Sequence, residues 1–82
     1  MILVDIYVPA VDETYDFLLD ENADLSSVLL EVTGMVAKKT RSLPPANIGE
    51  FILFFADRAM PLPLNRTLYE NGVRDGDRLI LV

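Results

Sequence analysis

The start of the chain has an apolar residue at every second position, and the positions between them hold Leu3, Asp5 and Tyr7. The recurring residues are Ile2, Val4, Ile6 and Val8. This period of two predicts a β-strand that buries one side. A second alternation, with Tyr15, Phe17 and Leu19 on one side, follows a loop of about five residues that starts at Pro9. The two segments are therefore predicted to form a hairpin.

The spacing of the apolar residues changes after Asp24. Apolar residues then recur three and four positions apart, at Leu25, Val28, Leu29, Val32 and Val36. This spacing predicts a helix with one apolar stripe, which Asp24 caps and which ends before Pro44 and Pro45. Gly34 costs an exposed helix about 1 kcal/mol relative to alanine, so its presence predicts close packing against the sheet.

Residues 51–55 (FILFF) predict a third strand and leave its register open. In one register Ile52 and Phe54 point inward, and in the other they are exposed. We favour the first, which leaves Leu53 and Phe55 on the outer side of the sheet. The segment 60–64 is rich in proline, which predicts an edge strand or an extended loop.

The last sixteen residues, 67–82, predict a short turn, a tight loop and a final strand. Leu79 and Leu81 are expected to face the core, and Ile80 and Val82 the outside. The first and last strands are predicted to pair in parallel at the centre of a mixed sheet of four to five strands, with the helix across one side. The fold class is therefore α+β, formed as a single domain over residues 1–82.

The composition excludes several kinds of catalytic and metal site. The chain has 82 residues and a net charge of −6, and it contains neither cysteine nor histidine. Disulfides, thiolate catalysis and zinc–thiolate sites are excluded, and no cofactor or metal is implied. No basic residue precedes Lys38, so nucleic acid and anionic lipid are poor partners and a basic protein surface is a better one.

Candidate acid–base groups have simpler structural interpretations. Asp75, Asp77 and Glu70 are conceivable calcium ligands, but Asp-Gly-Asp is favoured as a turn because turns demand these residue types. The chain starts with a strand pattern instead of a signal peptide, and its apolar runs fall far short of the roughly 20 residues that span a bilayer. We therefore expect a soluble, cytoplasmic protein.

Three local motifs carry a resemblance to a known fold: the acidic start of the helix, Thr67-Leu68 followed by Asn71-Gly72-Val73, and Asp75-Gly76-Asp77 before the last strand. With these motifs the chain resembles the ubiquitin-like β-grasp domains over nearly its whole length. The ending GVRDGDRLILV and the proline-containing segment 60–64 are most similar to the YukD/EsaB family of bacterial type VII secretion systems. The same unit resembles the N-terminal ubiquitin-like domain of that system's membrane component.

The resemblance implies a non-catalytic module that binds proteins and acts as a cytosolic accessory or regulator of secretion, peripheral to a membrane-bound complex. A secretion ATPase or membrane subunit is the implied partner, and a homodimer through the same surface is the alternative. The outer side of the sheet supplies the candidate partner-binding residues, Leu3, Tyr7, Leu18, Leu53, Phe55, Ile80 and Val82.

A second hypothesis belongs to another class. Ubiquitin-like modifiers and sulfur carriers act through a mobile Gly-Gly tail, and this sequence ends instead on Leu81 and Val82. An end that is locked in the sheet is expected to be inert, unless a Gly-Gly tail is missing from the chain at hand. A third hypothesis is the detached domain of a larger membrane protein.

Overall fold

The sheet is built around two strands that come from opposite ends of the chain. A computed structural model describes residues 1–40, 51–57 and 60–82. Its elements are β1 (Ile2–Val8), β2 (Glu13–Leu19), α1 (Leu25–Thr40), β3 (Leu53–Phe55), β4 (Met60–Pro61) and β5 (Arg78–Leu81). The strands form one five-stranded sheet in the order β2-β1-β5-β3-β4. The predicted hairpin and the central parallel pair are both confirmed.

The core lies between one side of the sheet and the apolar stripe of α1. The alternating residues predicted for β1 are buried, together with Phe17 and Leu19 of β2 and Leu79 and Leu81 of β5. They form one cluster with Leu25, Val28, Leu29 and Val32 of the helix. At the end of the stripe Ala37 is buried, whereas Val36 is half-buried and packs against the margin of the cluster. The architecture is α+β, as predicted.

The start of the helix is fixed by backbone bonds. Asp24 lies at the N-cap position, where its carbonyl accepts the N–H of Val28 at 3.0 Å. Leu25 donates its own N–H to the carbonyl of Arg66 at 3.0 Å, which ties the helix to the segment before the last turn. The predicted stop at Pro44 and Pro45 lies outside the described residues, and α1 ends at Thr40.

The preferred register of the third strand is wrong. Leu53 is 1% exposed and Phe55 5%, whereas Ile52 is 45% exposed. The reason is the antiparallel pairing with β5, which aligns Leu53 with Leu81 and Phe55 with Leu79. Directly paired residues share a side of the sheet, so the inward residues of β5 carry Leu53 and Phe55 into the core.

The last turns hold β5 against β1. Gly76 and Gly72 have positive φ values of 87° and 79°, which glycine adopts without steric cost. Gly76 donates to the carbonyl of Leu3 at 2.7 Å, and the N–H of Leu3 donates to Asp75 Oδ1 at 2.8 Å. Asp75-Gly76-Asp77 therefore forms the predicted tight turn, and its bonds fasten the two central strands together.

β4 lies at the edge of the sheet, as the prolines predict, and Leu62 just after it is buried.

The expectation of close packing at Gly34 is wrong, because a Cβ built there meets no heavy atom within 4 Å. Among the described residues, no helix has the length and apolarity that crossing a membrane requires.

Replacing Gly34 by alanine should raise the free energy of unfolding by about 1 kcal/mol, because alanine loses less backbone entropy in a helix and its methyl group has room. Gly76→Ala is the matched control. It also has space for a methyl group but lies at a φ of 87°, so it should lower the free energy of unfolding by about 1 kcal/mol. Urea unfolding measures both. Equal effects at the two positions would contradict this account.

The register of β3 can be tested by truncation. Leu53→Ala removes a buried side chain and should cost about 2 to 5 kcal/mol of unfolding free energy. Ile52→Ala alters an exposed one and should change stability by about 0.5 kcal/mol. A larger loss at Ile52 than at Leu53 in urea unfolding would refute the observed register.

Candidate protein-binding face

The side of the sheet opposite the helix is formed by the residues that alternate with the core. We call this side the outer face. Its members from β1 and β2 are Leu3, Asp5, Tyr7, Thr14, Asp16 and Leu18. Its members from the other strands and their flanks are Ile52, Phe54, Pro61, Arg78, Ile80 and Val82. All of them are exposed or half-buried, so this face is available to a partner.

Apolar side chains of the outer face concentrate on β5, β3 and β4. Ile80 pairs with Tyr7 on one side and with Phe54 on the other, and Phe54 in turn pairs with Pro61. One row of apolar and aromatic side chains therefore crosses four strands. We call this row, together with Ile52 and Val82, the apolar patch.

The end of the patch is held by a closed pair of backbone bonds. The N–H of Ile52 donates to the carbonyl of Val82, and the N–H of Val82 donates to the carbonyl of Ile52, each at 2.9 Å. The prediction that Val82 is bonded within the sheet is confirmed. This pairing places two exposed branched side chains next to each other at the margin of the sheet.

A second apolar group lies at the opposite corner of the outer face. Leu3 and Leu18 are aligned across β1 and β2, and Leu18 is 58% exposed. A row of charged residues separates this pair from the apolar patch. The outer face thus carries two apolar regions rather than one.

The charged row consists of Asp16, Asp5 and Arg78, aligned across β2, β1 and β5. Asp5 accepts a hydrogen bond from the protonated Asp16 carboxyl and repels its ionised form, and both effects raise the pKa of Asp16 above its ordinary value. Arg78 is the neighbour of Asp5 in the register, but within the described residues the two side chains do not form an ion pair. The two carboxylates therefore remain an unfavourable pair near neutral pH.

Tyr7 is positioned by the hairpin loop. Its hydroxyl donates to Asp12 Oδ1 at 2.8 Å, and this hydrogen bond raises the pKa of Tyr7. Asp12 has a positive φ of 52°, a backbone conformation that Asp and Asn tolerate better than most residues. The contact fixes the ring of Tyr7 at the margin of the apolar patch.

The acidic groups considered as calcium ligands each bind a backbone N–H. Asp75 accepts from Leu3 at 2.8 Å and Asp77 from Arg74 at 2.7 Å. Glu70 accepts from Thr67 at 3.1 Å, while Thr67 Oγ1 accepts from the Glu70 N–H at 3.0 Å, which is a capping box. Over residues 1–40, 51–57 and 60–82, no three potential metal ligands come together.

The structure divides the predicted site residues into two sets. Those on the outer face are Leu3, Tyr7, Leu18, Ile80 and Val82. Leu53 and Phe55 belong to the core, so their assignment to the site is wrong. Three members of the outer face were not predicted from the sequence: Ile52, Phe54 and Pro61. The pairing of β3 with β5 and with β4 identifies them, and strand pairing is not visible in an unbroken apolar run. Partner binding by the exposed residues stays a prediction.

Comparisons with known proteins agree with this architecture. A family model described as "WXG100 protein secretion system (Wss), protein YukD" matches residues 2–81. A search of curated proteins gave no significant match.

Three solved structures illustrate the fold. The ubiquitin of Caldiarchaeum subterraneum has a TM-score of 0.72 at 22% identity, with 98% of this chain and 89% of that chain covered. The EccD5 ubiquitin-like domain of Mycobacterium xenopi has a TM-score of 0.68 at 28% identity, with 99% and 91% covered. A ubiquitin-like domain of an Arabidopsis thaliana protein has a TM-score of 0.74 at 17% identity, with 99% and 74% covered. The fold is ubiquitin-like.

Asp16→Asn should stabilise the protein at pH 7 and have little effect near pH 3. The pKa of Asp16 is raised in the folded state, so the folded protein binds its proton more tightly than the unfolded chain does. Ionisation of Asp16 therefore destabilises the fold, and this penalty disappears as the pH falls below the unfolded value of about 3.9. Asparagine removes the penalty at every pH. Urea midpoints of variant and parent at the two pH values measure the difference.

Glu13→Gln is the control, since it makes the same charge change on the same strand but lies opposite Val8 instead of a carboxylate. It should show a smaller gain at pH 7 than Asp16→Asn. If the two gains match, net charge rather than the Asp5–Asp16 contact is responsible.

Proposed function

The chain belongs to the YukD family of the WXG100 protein secretion system, and we propose that it works there as a non-catalytic protein-binding module. In this proposal the protein is a cytosolic accessory or regulator of the type VII machinery. It docks through its outer face on the secretion ATPase or on a membrane subunit. The ubiquitin-like fold is consistent with such a role, because its sheet offers a broad surface on the side away from the helix.

The apolar patch is the observation that carries the proposal. Ile52 and Val82 are 45% and 53% exposed, and they adjoin Phe54 and Ile80. Single exposed apolar residues are ordinary on a protein surface, whereas contiguous groups mark sites of association. The strand registers make this group contiguous, because they align Tyr7, Ile80, Phe54 and Pro61 in one row.

The charges around the patch limit the kind of partner. The net charge is −6, and the carboxylates of Asp5 and Asp16 lie beside the patch on the same face. A partner surface with an apolar centre and basic residues at its margin would match this distribution. Complementary charge of this kind mainly favours rapid association and the choice of partner.

The titratable groups support a non-catalytic role. Glu21 binds the amino group of Met1 at 2.8 Å, which lowers the pKa of Glu21 and raises that of the amino group. Tyr7 is held by Asp12, and Asp16 is perturbed by Asp5. Each of these pKa shifts is caused by a neighbouring residue, and the groups concerned lie on the open surface rather than in a cleft.

Ile80→Asp and Ile52→Asp should leave the fold intact and weaken capture of the purified secretion ATPase or membrane subunit by about thirty-fold. The expected loss is that of an apolar contact residue of an interface, and an aspartate buried by the partner adds a desolvation cost. Titration of the partner on immobilised protein gives the affinity, and circular dichroism checks the fold.

Leu30→Asp is the matched control, because Leu30 is 60% exposed on the helix, away from the outer face. It should bind like the parent. Equal loss in all three variants, or none in any, would reject the outer face as the docking surface. Light scattering of the same variants tests a homodimer, in which case Ile80→Asp and Ile52→Asp would convert dimer to monomer.

A further inference from the structure

One edge of the sheet is long, and within the described residues no further strand pairs with it. β2 is the outermost strand on its side and runs over seven residues, Glu13–Leu19. The opposite edge, β4, has two residues, one of which is Pro61. Short strands and prolines protect an edge against added strands. β2 has neither protection.

Strand register identifies the free backbone groups of β2. Asp5 of β1 donates its N–H to Asp77 at 3.1 Å, so the odd positions of β1 bond towards β5 and the even positions bond towards β2. Because Val4 is aligned with Phe17 and Ile6 with Tyr15, the odd positions of β2 complete that ladder. The N–H and carbonyl groups of Thr14, Asp16 and Leu18 therefore point away from the sheet. The described part of the chain provides no backbone partner for them.

Charge determines which strand this edge can accept. Asp16 lies at the middle of β2 and is aligned with Asp5 on the neighbouring strand β1. β2 itself contains no basic residue. Antiparallel pairing of two copies centred on Asp16 would align the two Asp16 side chains, each next to an Asp5. Like charges opposite each other destabilise strand pairs, so this register disfavours a second copy, and two chains that each carry a net charge of −6 repel each other in any register.

We infer that the edge of β2 binds an extended segment of a partner protein that places a lysine or arginine opposite Asp16. The outward backbone groups would form a further ladder of the sheet, which is the basis of strand addition in peptide recognition. The basic side chain would contact the Asp16 carboxylate and relieve its repulsion with Asp5. This binding mode is separate from docking on the outer face, since it uses the edge of the sheet.

The test uses the full chain labelled with ¹⁵N and three capped heptapeptides. Two peptides alternate valine and threonine around a central arginine or a central glutamate, and a third replaces alternate residues of the arginine peptide by proline. The arginine peptide should shift the amides of Thr14, Asp16 and Leu18 and slow their hydrogen exchange. It should bind about five-fold more tightly than the glutamate peptide, and the proline peptide should not bind.

An Asp16→Arg variant sharpens the test, because its edge should prefer the glutamate peptide over the arginine peptide. Leu30→Asp, on the exposed side of the helix, serves as the control and should leave peptide binding unchanged. The inference fails if millimolar arginine peptide leaves the three amides unshifted, if the shifts centre on Ile52, Phe54 and Ile80, or if the two charged peptides bind equally. Such a failure would leave capture of a partner by the outer face unaffected, so the two proposals can fail separately.

Discussion

The parallel pairing of β1 with β5 places Ile6 beside Leu79, and neither side chain is exposed to solvent. This contact joins the first and last strands at the centre of the sheet, and the sheet extends outward from each of them. β2 pairs with β1, and β3 pairs with β5 and carries β4. Such non-local pairing yields its free energy only after a long loop has closed. The bonds of Asp75 and Gly76 to Leu3 help to offset that cost.

The same pairing determines which side chains lie on each side of the sheet. In β5, Leu79 and Leu81 join the core, which leaves Arg78 and Ile80 on the outer face. The pattern continues across the neighbouring strands because aligned residues share a side. The apolar patch is therefore a direct result of strand register, and burial of the core leaves it open on the side away from the helix.

Elements with a clear period could be predicted from the sequence. The alternation in β1 and β2 and the three-to-four spacing in α1 each admit one buried side, and the structure has that side inward. The run 51–55 is apolar at every position, so its own sequence does not decide between two registers. The decision comes from Leu81 and Leu79, which lie far along the chain and align with Leu53 and Phe55. Two of the predicted site residues were wrong for this reason, and Ile52 and Phe54 were missed.

The outer face and the β2 edge are compatible as docking surfaces. A strand added at β2 would lie in the plane of the sheet, about 4.8 Å beyond β2, and would leave the outer face uncovered. The apolar patch is centred on β5 and β3 and reaches β1 only through Tyr7, so β2 lies outside it. Thr14, Asp16 and Leu18 belong to both regions, since their backbone groups lie on the edge and their side chains on the outer face, and Asp16 is the charged residue among them. Neutralising its carboxylate from the edge would make the charged row less acidic, so the physical link between the two surfaces is electrostatic rather than steric.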